Sequence, residues 1–226
     1  MGVWDDKILY IDGEAIVLDK PAGLAVHPGA RTRESLEDYL HHLRFGFHRL
    51  PLPVHRLDRD TSGCLLLARN PKAHKAFQRA FEEKKVGKTY VAVLDSVPAA
   101  ESGTVDMALG KVSTPAEGWR MVADPGGKPA VTHWRVAAVK DGRAVIVFTP
   151  ETGRTHQIRV HAASGIGIPI SGDPVYGAGR GPMLLHALSL KVDRGAKPPV
   201  EATAPLPPTF VSAGFGDVDL GMADAL

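Results

Sequence analysis

The residues best suited to chemistry lie in one stretch, His55-Arg56-Leu57-Asp58-Arg59-Asp60-Thr61-Ser62-Gly63, directly before the apolar run Cys64–Ala68. Packing needs nothing of that composition. Asp58 is flanked by Arg56 and Arg59, and nearby cations favour the ionised form of a carboxylate. An ionised carboxylate in a partly desolvated loop can serve as nucleophile or base. The competing reading is an Asx-type turn, with Asp58 or Asp60 bonding local backbone amides. A glycosidase-like pairing of Asp58 with Asp60 is disfavoured. Two carboxylates so close in one loop do not readily flank a glycosidic bond at the roughly 5–9 Å that such chemistry requires.

A second cluster runs from Thr152 to His161, TGRTHQIRVH. Gly153 allows a tight turn into a helix, whose free amides favour anions. On that helix Thr155 and Arg159 would share one face, and Ile158 and Ala162 an apolar one. Arg154 and Arg159 could bind phosphate or hold a buried carboxylate. His156 and His161 do not face each other well on a helix, and no Glu separates them in zincin spacing, so no metal site is expected. The one cysteine, Cys64, excludes an internal disulfide framework and a Cys-rich zinc site. Gly165-Ile-Gly167 lacks the third glycine of a dinucleotide loop, so no nucleotide cofactor is expected.

These clusters must be held by a scaffold of 226 residues, 44% apolar and 23% charged, ordinary values for a globular chain with a real core. Short strands read at Ile8–Tyr10, Ala15–Leu18, Cys64–Ala68, Lys88–Leu94, Val131–Lys140, Ala144–Thr149 and Leu184–Val192. Asp141-Gly142 marks a two-residue hairpin. Helices read at Thr32–Leu43, from Asn70-Pro71 to about Lys84, and at Thr155–Ala163. From Lys197 prolines dominate, which reads as an extended tail with a short helix near Phe210–Phe215. The pattern predicts an α+β fold with a mixed, mostly antiparallel sheet flanked by short helices. The expected organisation is a catalytic domain over 1–210 and a C-terminal tail over 211–226.

Net charge is only +2, but residues 41–90 carry eleven Lys or Arg against four Asp or Glu, leaving about −5 for the rest. Such a split reads as a basic face meeting a polyanion, or as a solvated helix face. No apolar run approaches the roughly 20 residues of a membrane span. The N-terminus shows no secretory pattern. A cytoplasmic monomer is the expected state.

The same residues carry a resemblance. HRLDRDTSGCLLLA (55–68) resembles the catalytic motif of the RluA family of pseudouridine synthases almost letter for letter. KPAGLAVHP (20–28), KTYVAV (88–93), KPAVT (128–132), TGRTHQIRVH (152–161) with PISGDPVYG (169–177), and LLHA (184–187) resemble its other motifs in order. The match runs from about residue 8 to 210. The first motif begins at Lys20 and leaves no room for the S4-like domain of many relatives, so the compact members are the better comparison.

The resemblance implies isomerisation of uridine within ribosomal or transfer RNA, without a cofactor. It makes Asp58 the catalytic aspartate. Attack on C1′, addition to C6 and deprotonation of the sugar toward a glycal all remain open. Tyr90 would lie against the target uracil, and Arg56 would enter the RNA where the uridine leaves. Arg159 is assigned as the cation paired with Asp58, because the helix reading turns it with Thr155 toward one face; Arg154 is the competing assignment. His55, Arg59, Thr61, Arg154, Thr155 and His156 complete the expected RNA-binding set. The rival from another class is a catalytically silent RNA-binding module, against which the intact Asp58, Tyr90 and Arg159 argue.

Overall fold

The computed structural model describes residues 4–29, 32–114 and 118–221. Along the chain the strands are β1 (Ile8–Ile11), β2 (Ala15–Lys20), β3 (Leu52–Pro53), β4 (Ser62–Ala68), β5 (Val86–Leu94), β6 (Ser102–Asp106), β7 (Leu109–Thr114), β8 (Gly118–Ala123), β9 (Val131–Lys140), β10 (Arg143–Pro150), β11 (Leu185–Arg194) and β12 (Lys197–Thr203). The α-helices are α1 (Pro71–Glu82), α2 (Gln157–Val160) and α3 (Pro208–Ser212). The chain divides into two compact units, one ending at Lys88 and resuming over His186–Pro205, the other comprising Thr89–Leu185 and the residues from Leu206.

In the first unit β2 pairs antiparallel with β1 and β4, and β4 runs parallel to β11 at Ser62–His186 and Gly63–Ala187. All seven residues of β4 are buried, which is why it reads as a continuous apolar run rather than an alternating one. Asn70 caps α1, its side chain accepting from Ala73 N–H at 2.9 Å, and Pro71 takes the first helical position. Ala73 and Phe77 carry the helix onto a core with Val17, Leu66, Leu190 and Val200.

Two expectations change here. The helix expected from Thr32 is a 3-10 helix over Leu36–Leu43, because Ser35 and Asp38 form a capping box that starts the turn there. The proline-rich stretch from Lys197 is extended as expected but is not a tail. It is β12, antiparallel to β11, with Val200 and Ala202 buried.

In the second unit β5 pairs antiparallel with β10, placing Tyr90 opposite Phe148, and β10 pairs with β9 and β9 with β6. The turn from β9 to β10 puts both Asp141 and Gly142 at positive φ, the tight form the dipeptide predicted. β7 and β8 form a separate two-stranded hairpin. Phe210 and Phe215 are fully buried, and the Arg143 guanidinium lies 4.6 Å from the Phe215 ring.

The helix expected over Thr155–Ala163 is also different. It is α-helical only over Gln157–Val160 and continues as a π-helical turn over His161–Ile166. Thr155 therefore lies outside the helix, and the shared Thr155–Arg159 face does not form.

Two constraints shape the loop that carries Asp58. Gly63 sits at φ +101°, and a Cβ there would lie 2.2 Å from the carbonyl oxygen of Ala187. Only glycine lets β4 leave the loop and run against β11. Lys20, at the end of β2, is fully buried. Its ammonium donates to the carbonyls of Pro21 and Leu24 at 2.8 Å and of Arg59 at 3.1 Å. All three N–H donors of the ammonium are used, and the Asp58 loop is tied to the Pro21–Leu24 turn. Burial pulls the Lys20 pKa down to about 7, opposed by the charges of Asp60, Asp58 and Asp19.

Lys20→Met leaves three carbonyls without their donor and should cost about 3 kcal/mol of stability, from about 1 kcal/mol or more per buried group left unpaired, read by urea unfolding. Folded Lys20 gives up its proton above about pH 7, whereas the unfolded lysine keeps it to about 10.4. Unfolding then takes up a proton, so wild-type stability should rise relative to Lys20→Met from pH 7 to 9, by up to about 1.4 kcal/mol per pH unit. A flat difference across that window would contradict the burial of the charged group.

Candidate active site

In the first unit the sequence-predicted residues His55, Arg56, Asp58, Arg59 and Thr61 come together on the loop between β3 and β4. The turn over Asp58 is closed by the main chain, Thr61 N–H donating to Asp58 O at 3.1 Å. Asp58 is half-buried, Arg56 and Arg59 are exposed, and Thr61 is buried. Arg59 pairs with Asp60, Nε to Oδ1 at 3.0 Å, so the Asp60 carboxylate is held by its neighbour.

His55 fastens the loop from below. Leu66 N–H donates to its Nε2 at 3.0 Å, and its ring stacks on Phe81 at 4.7 Å. An imidazole nitrogen that accepts must be unprotonated. In keeping with that, burial holds the pKa down to about 3, with the charge of Lys88 adding to the effect. Beside the loop lies an open groove of about 510 Å³, lined among others by His27, Arg56, His74 and Gln78.

In the second unit Arg154, Thr155, His156 and Arg159 cluster at the start of α2, and Tyr90 and Ile158 pack on one apolar core with Phe148 and Leu185. The two arginines of the motif differ in kind. Arg154 is exposed, with Nε donating to Pro129 O at 3.1 Å. Arg159 is buried and meets Asp173 in a two-pronged pair, Nε to Oδ2 and Nη2 to Oδ1, each 2.7 Å. Asp173 is also fully buried and accepts from Val175 N–H and Tyr176 N–H. Burial raises its pKa, but the Arg159 hydrogen bonds and charge outweigh that and hold the carboxyl below its ordinary range.

Three residues that site reasoning on the sequence did not single out organise this half. Asp173 fixes Arg159. Gln157 uses its whole amide: Oε1 accepts from Thr152 Oγ1 and Arg154 N–H, while Nε2 donates to Val131 O and Thr132 Oγ1. Thr132 then bonds His161 Nδ1 at 2.9 Å, and His161 Nε2 meets Met107 O at 3.0 Å. Burial keeps the His161 pKa low, which leaves it a structural link. Each lies inside a motif that the resemblance had marked, but nothing in residue type or spacing set it apart from its polar neighbours. Local spacing could not show that Asp173 lies against Arg159, because the two are fourteen positions apart, with the end of α2, the π-helical turn and a further loop between them.

Comparison with known proteins places these residues in a family. A profile described as RNA pseudouridylate synthase matches residues 14–164. An uncharacterized RNA pseudouridine synthase of Zymomonas mobilis is 52% identical over 219 residues, covering 95% of this chain and all of that protein. The ribosomal large subunit pseudouridine synthase D of the same organism is 37% identical over 80% of this chain, which spans only 58% of its length. Among solved structures, human RNA pseudouridylate synthase domain containing 4 matches with a TM-score of 0.80 at 25% identity, covering 96% of this chain and 95% of that one. Human RNA pseudouridylate synthase domain containing 1 matches with a TM-score of 0.73 at 30% identity, over 88% of this chain and 82% of that one. A profile match over more than half of the chain, a relative similar from end to end and the shared mixed fold agree: this chain belongs to the RNA pseudouridylate synthase family, whose members are isomerases.

Proposed function

We propose that this chain isomerises particular uridines of ribosomal or transfer RNA to pseudouridine, with Asp58 as the catalytic carboxylate and no cofactor. The observation that carries the reading is the Asp58 loop. It presents a half-buried carboxylate between exposed arginines and lies within the residues that match the family profile. Relatives named as ribosomal large subunit synthases C and D favour ribosomal RNA as the first substrate to test. The proposed working form is a cytoplasmic monomer.

The chemistry is an isomerisation. The N1–C1′ bond breaks, the uracil turns, C5 joins C1′, and the proton on C5 leaves while N1 gains one. No oxidant or co-substrate is required. Asp58 supplies a negative charge at the sugar and base, and Arg159 is the proposed counter-cation. Arg56, exposed on the same loop, is proposed to fill the stack vacated by the flipped nucleotide, whose unstacking costs a few kcal/mol. Arg59, Arg154, Thr155 and His156 are proposed to meet the RNA, while His55 and Thr61 hold the loop that does so. Tyr90, half-buried on β5, is proposed to stack on the uracil and to take the C5 proton through its hydroxyl.

The test is pseudouridine mapping in unmodified ribosomal and transfer RNA transcripts incubated with the purified protein. Asp58→Asn removes the charge with little change of shape, so it should abolish isomerisation while sparing folding and RNA binding. Substantial activity in a variant free of deamidation would remove Asp58 from its role.

The two motif arginines should separate cleanly. Arg159→Ala leaves Asp173 buried without its partner, and breaking such a pair costs roughly 3–5 kcal/mol, so both melting temperature and turnover should fall. Arg154→Ala should leave the melt unchanged, weaken RNA binding and reduce the salt slope by about one ion. Thermal melts and salt titrations read both, and the reverse pattern would exchange the assignments.

Tyr90→Phe keeps the ring, so RNA affinity should change by less than about 1 kcal/mol, the net worth of one ordinary hydrogen bond, yet normal product should not be released. Tyr90→Ala should lose a further 1–3 kcal/mol or so of stacking. Binding and single-turnover isomerisation on one RNA distinguish these. A fully active Phe variant would leave Tyr90 as a stacking surface alone.

A further inference from the structure

The β7–β8 hairpin joins no other sheet among the described residues, and hairpins of this size are marginal unless something braces them. Here the brace is partly apolar, with Leu109 packed on Ala130 and Val160 beside Met121 and Tyr176. It is also polar: Met121 N–H donates to the Tyr176 hydroxyl at 3.0 Å, and that hydroxyl bonds His156 Nδ1 at 2.9 Å. None of this bracing requires the large side chain at Trp119. Yet Trp119 stands on β8 with 46% of its surface exposed. Its ring lies 5.1 Å from the His156 ring at an interplanar angle of 33°, and the Lys111 ammonium lies 5.4 Å from the Trp119 ring centre.

His156 leads inward. It occupies the left-handed region at φ 54°, a costly conformation for a non-glycine residue that persists only where its surroundings impose it. Its ring meets Tyr176 edge-on at 5.6 Å, and the Tyr176 ring faces the Arg159 guanidinium at 5.2 Å. A column of rings thus runs from the buried Arg159–Asp173 pair to an exposed indole beside an exposed cation.

We propose that Trp119 is a stacking platform for an unpaired base of the substrate RNA, with Lys111 meeting the adjoining phosphate. An exposed aromatic next to a lysine is the chemistry that binds single-stranded nucleic acid, because every base has a π-face and every linkage an anion. Bases splayed from loops and bulges are what such a surface takes. The platform would engage a nucleotide outside the reacting one and hold the RNA's register relative to Arg159. The inference rests on RNA being the substrate.

The test uses the full chain and unmodified large-subunit ribosomal RNA and transfer RNA transcripts. Trp119→Leu keeps apolar bulk against His156 but removes the aromatic face, and Trp119→Phe restores a ring. The Leu variant should raise Kd and KM roughly tenfold to a hundredfold, with kcat at saturating RNA and the melting temperature unchanged. Phe should recover most of the loss. Lys111→Ala should lower the salt slope of binding by about one ion. Trp4 is buried and Trp134 partly so, so quenching of tryptophan fluorescence by RNA should vanish in Trp119→Phe. Wild-type affinity in the Leu variant, or quenching that persists in the Phe variant, overturns the platform. Quenching is read without turnover, so it tests the platform even if neither transcript class is modified. That last outcome would count against the proposed substrates alone.

Discussion

Taking a guanidinium and a carboxylate out of water costs several kcal/mol per ion, and only close geometry with every remaining donor and acceptor satisfied returns it. The Arg159–Asp173 pair has that close geometry, and the carboxylate is further satisfied by the main chain. Two 2.7 Å contacts join the groups, and two main-chain N–H groups fill the other positions on one carboxylate oxygen. Much of the second unit can be read as what this requirement imposes. The Ser171–Tyr176 segment must wrap the carboxylate, α2 must present Arg159 from the inside, and Ile158 on the same short helix must enter the apolar core. The Tyr176 ring closes over the guanidinium. A cation held by two such contacts has one orientation.

The first unit applies the same physics to a different end. Lys20 buries a charge to gather three carbonyls that would otherwise leave a polar turn and a polar loop unsatisfied. His55 and His186, whose Nδ1 bonds the Ser62 hydroxyl at 2.8 Å, serve as neutral links, and burial pushes their pKa values to about 3 and about 4. Each gains a proton on unfolding below the ordinary histidine range, so acid opposes the fold through them, and stability from this source is kept only above about pH 6.5. The loop of exposed arginines and half-buried Asp58 is therefore carried on groups whose charge state is settled by burial.

Charge thus divides into two roles by depth. Arg56, Arg59 and Arg154 are exposed and suited to phosphates, where contacts are salt-sensitive and individually modest. Lys20, Arg159 and Asp173 are buried and hold geometry. The sequence shows all of them simply as charged residues in motifs.

Local signals were sufficient where the cause is local. The Asn70-Pro71 helix start, the Asp141-Gly142 turn and the continuous apolar run of β4 are set by capping, by positive φ and by burial on both faces. The motifs stood out because their polar composition is more than packing asks for, although His55 and Gly63 in the same loop proved to have packing roles of their own. Other features were decided at a distance. The start of the proline-rich stretch became β12 because β11 offered it a partner, which local periodicity around Pro198 and Pro199 could not reveal. α2 stopped after four residues and turned π-helical, where the spacing of Thr155 with Arg159 and of Ile158 with Ala162 suggested a regular helix. The identity of Arg159's carboxylate and the bracing of Trp119 by His156 join residues from separate turns and strands. Residue type and short-range spacing determine which groups can ionise, cap or turn. Which groups are drained of water, and against what, is settled only when distant segments pack, because desolvation belongs to the whole surroundings of a side chain rather than to its neighbours in sequence.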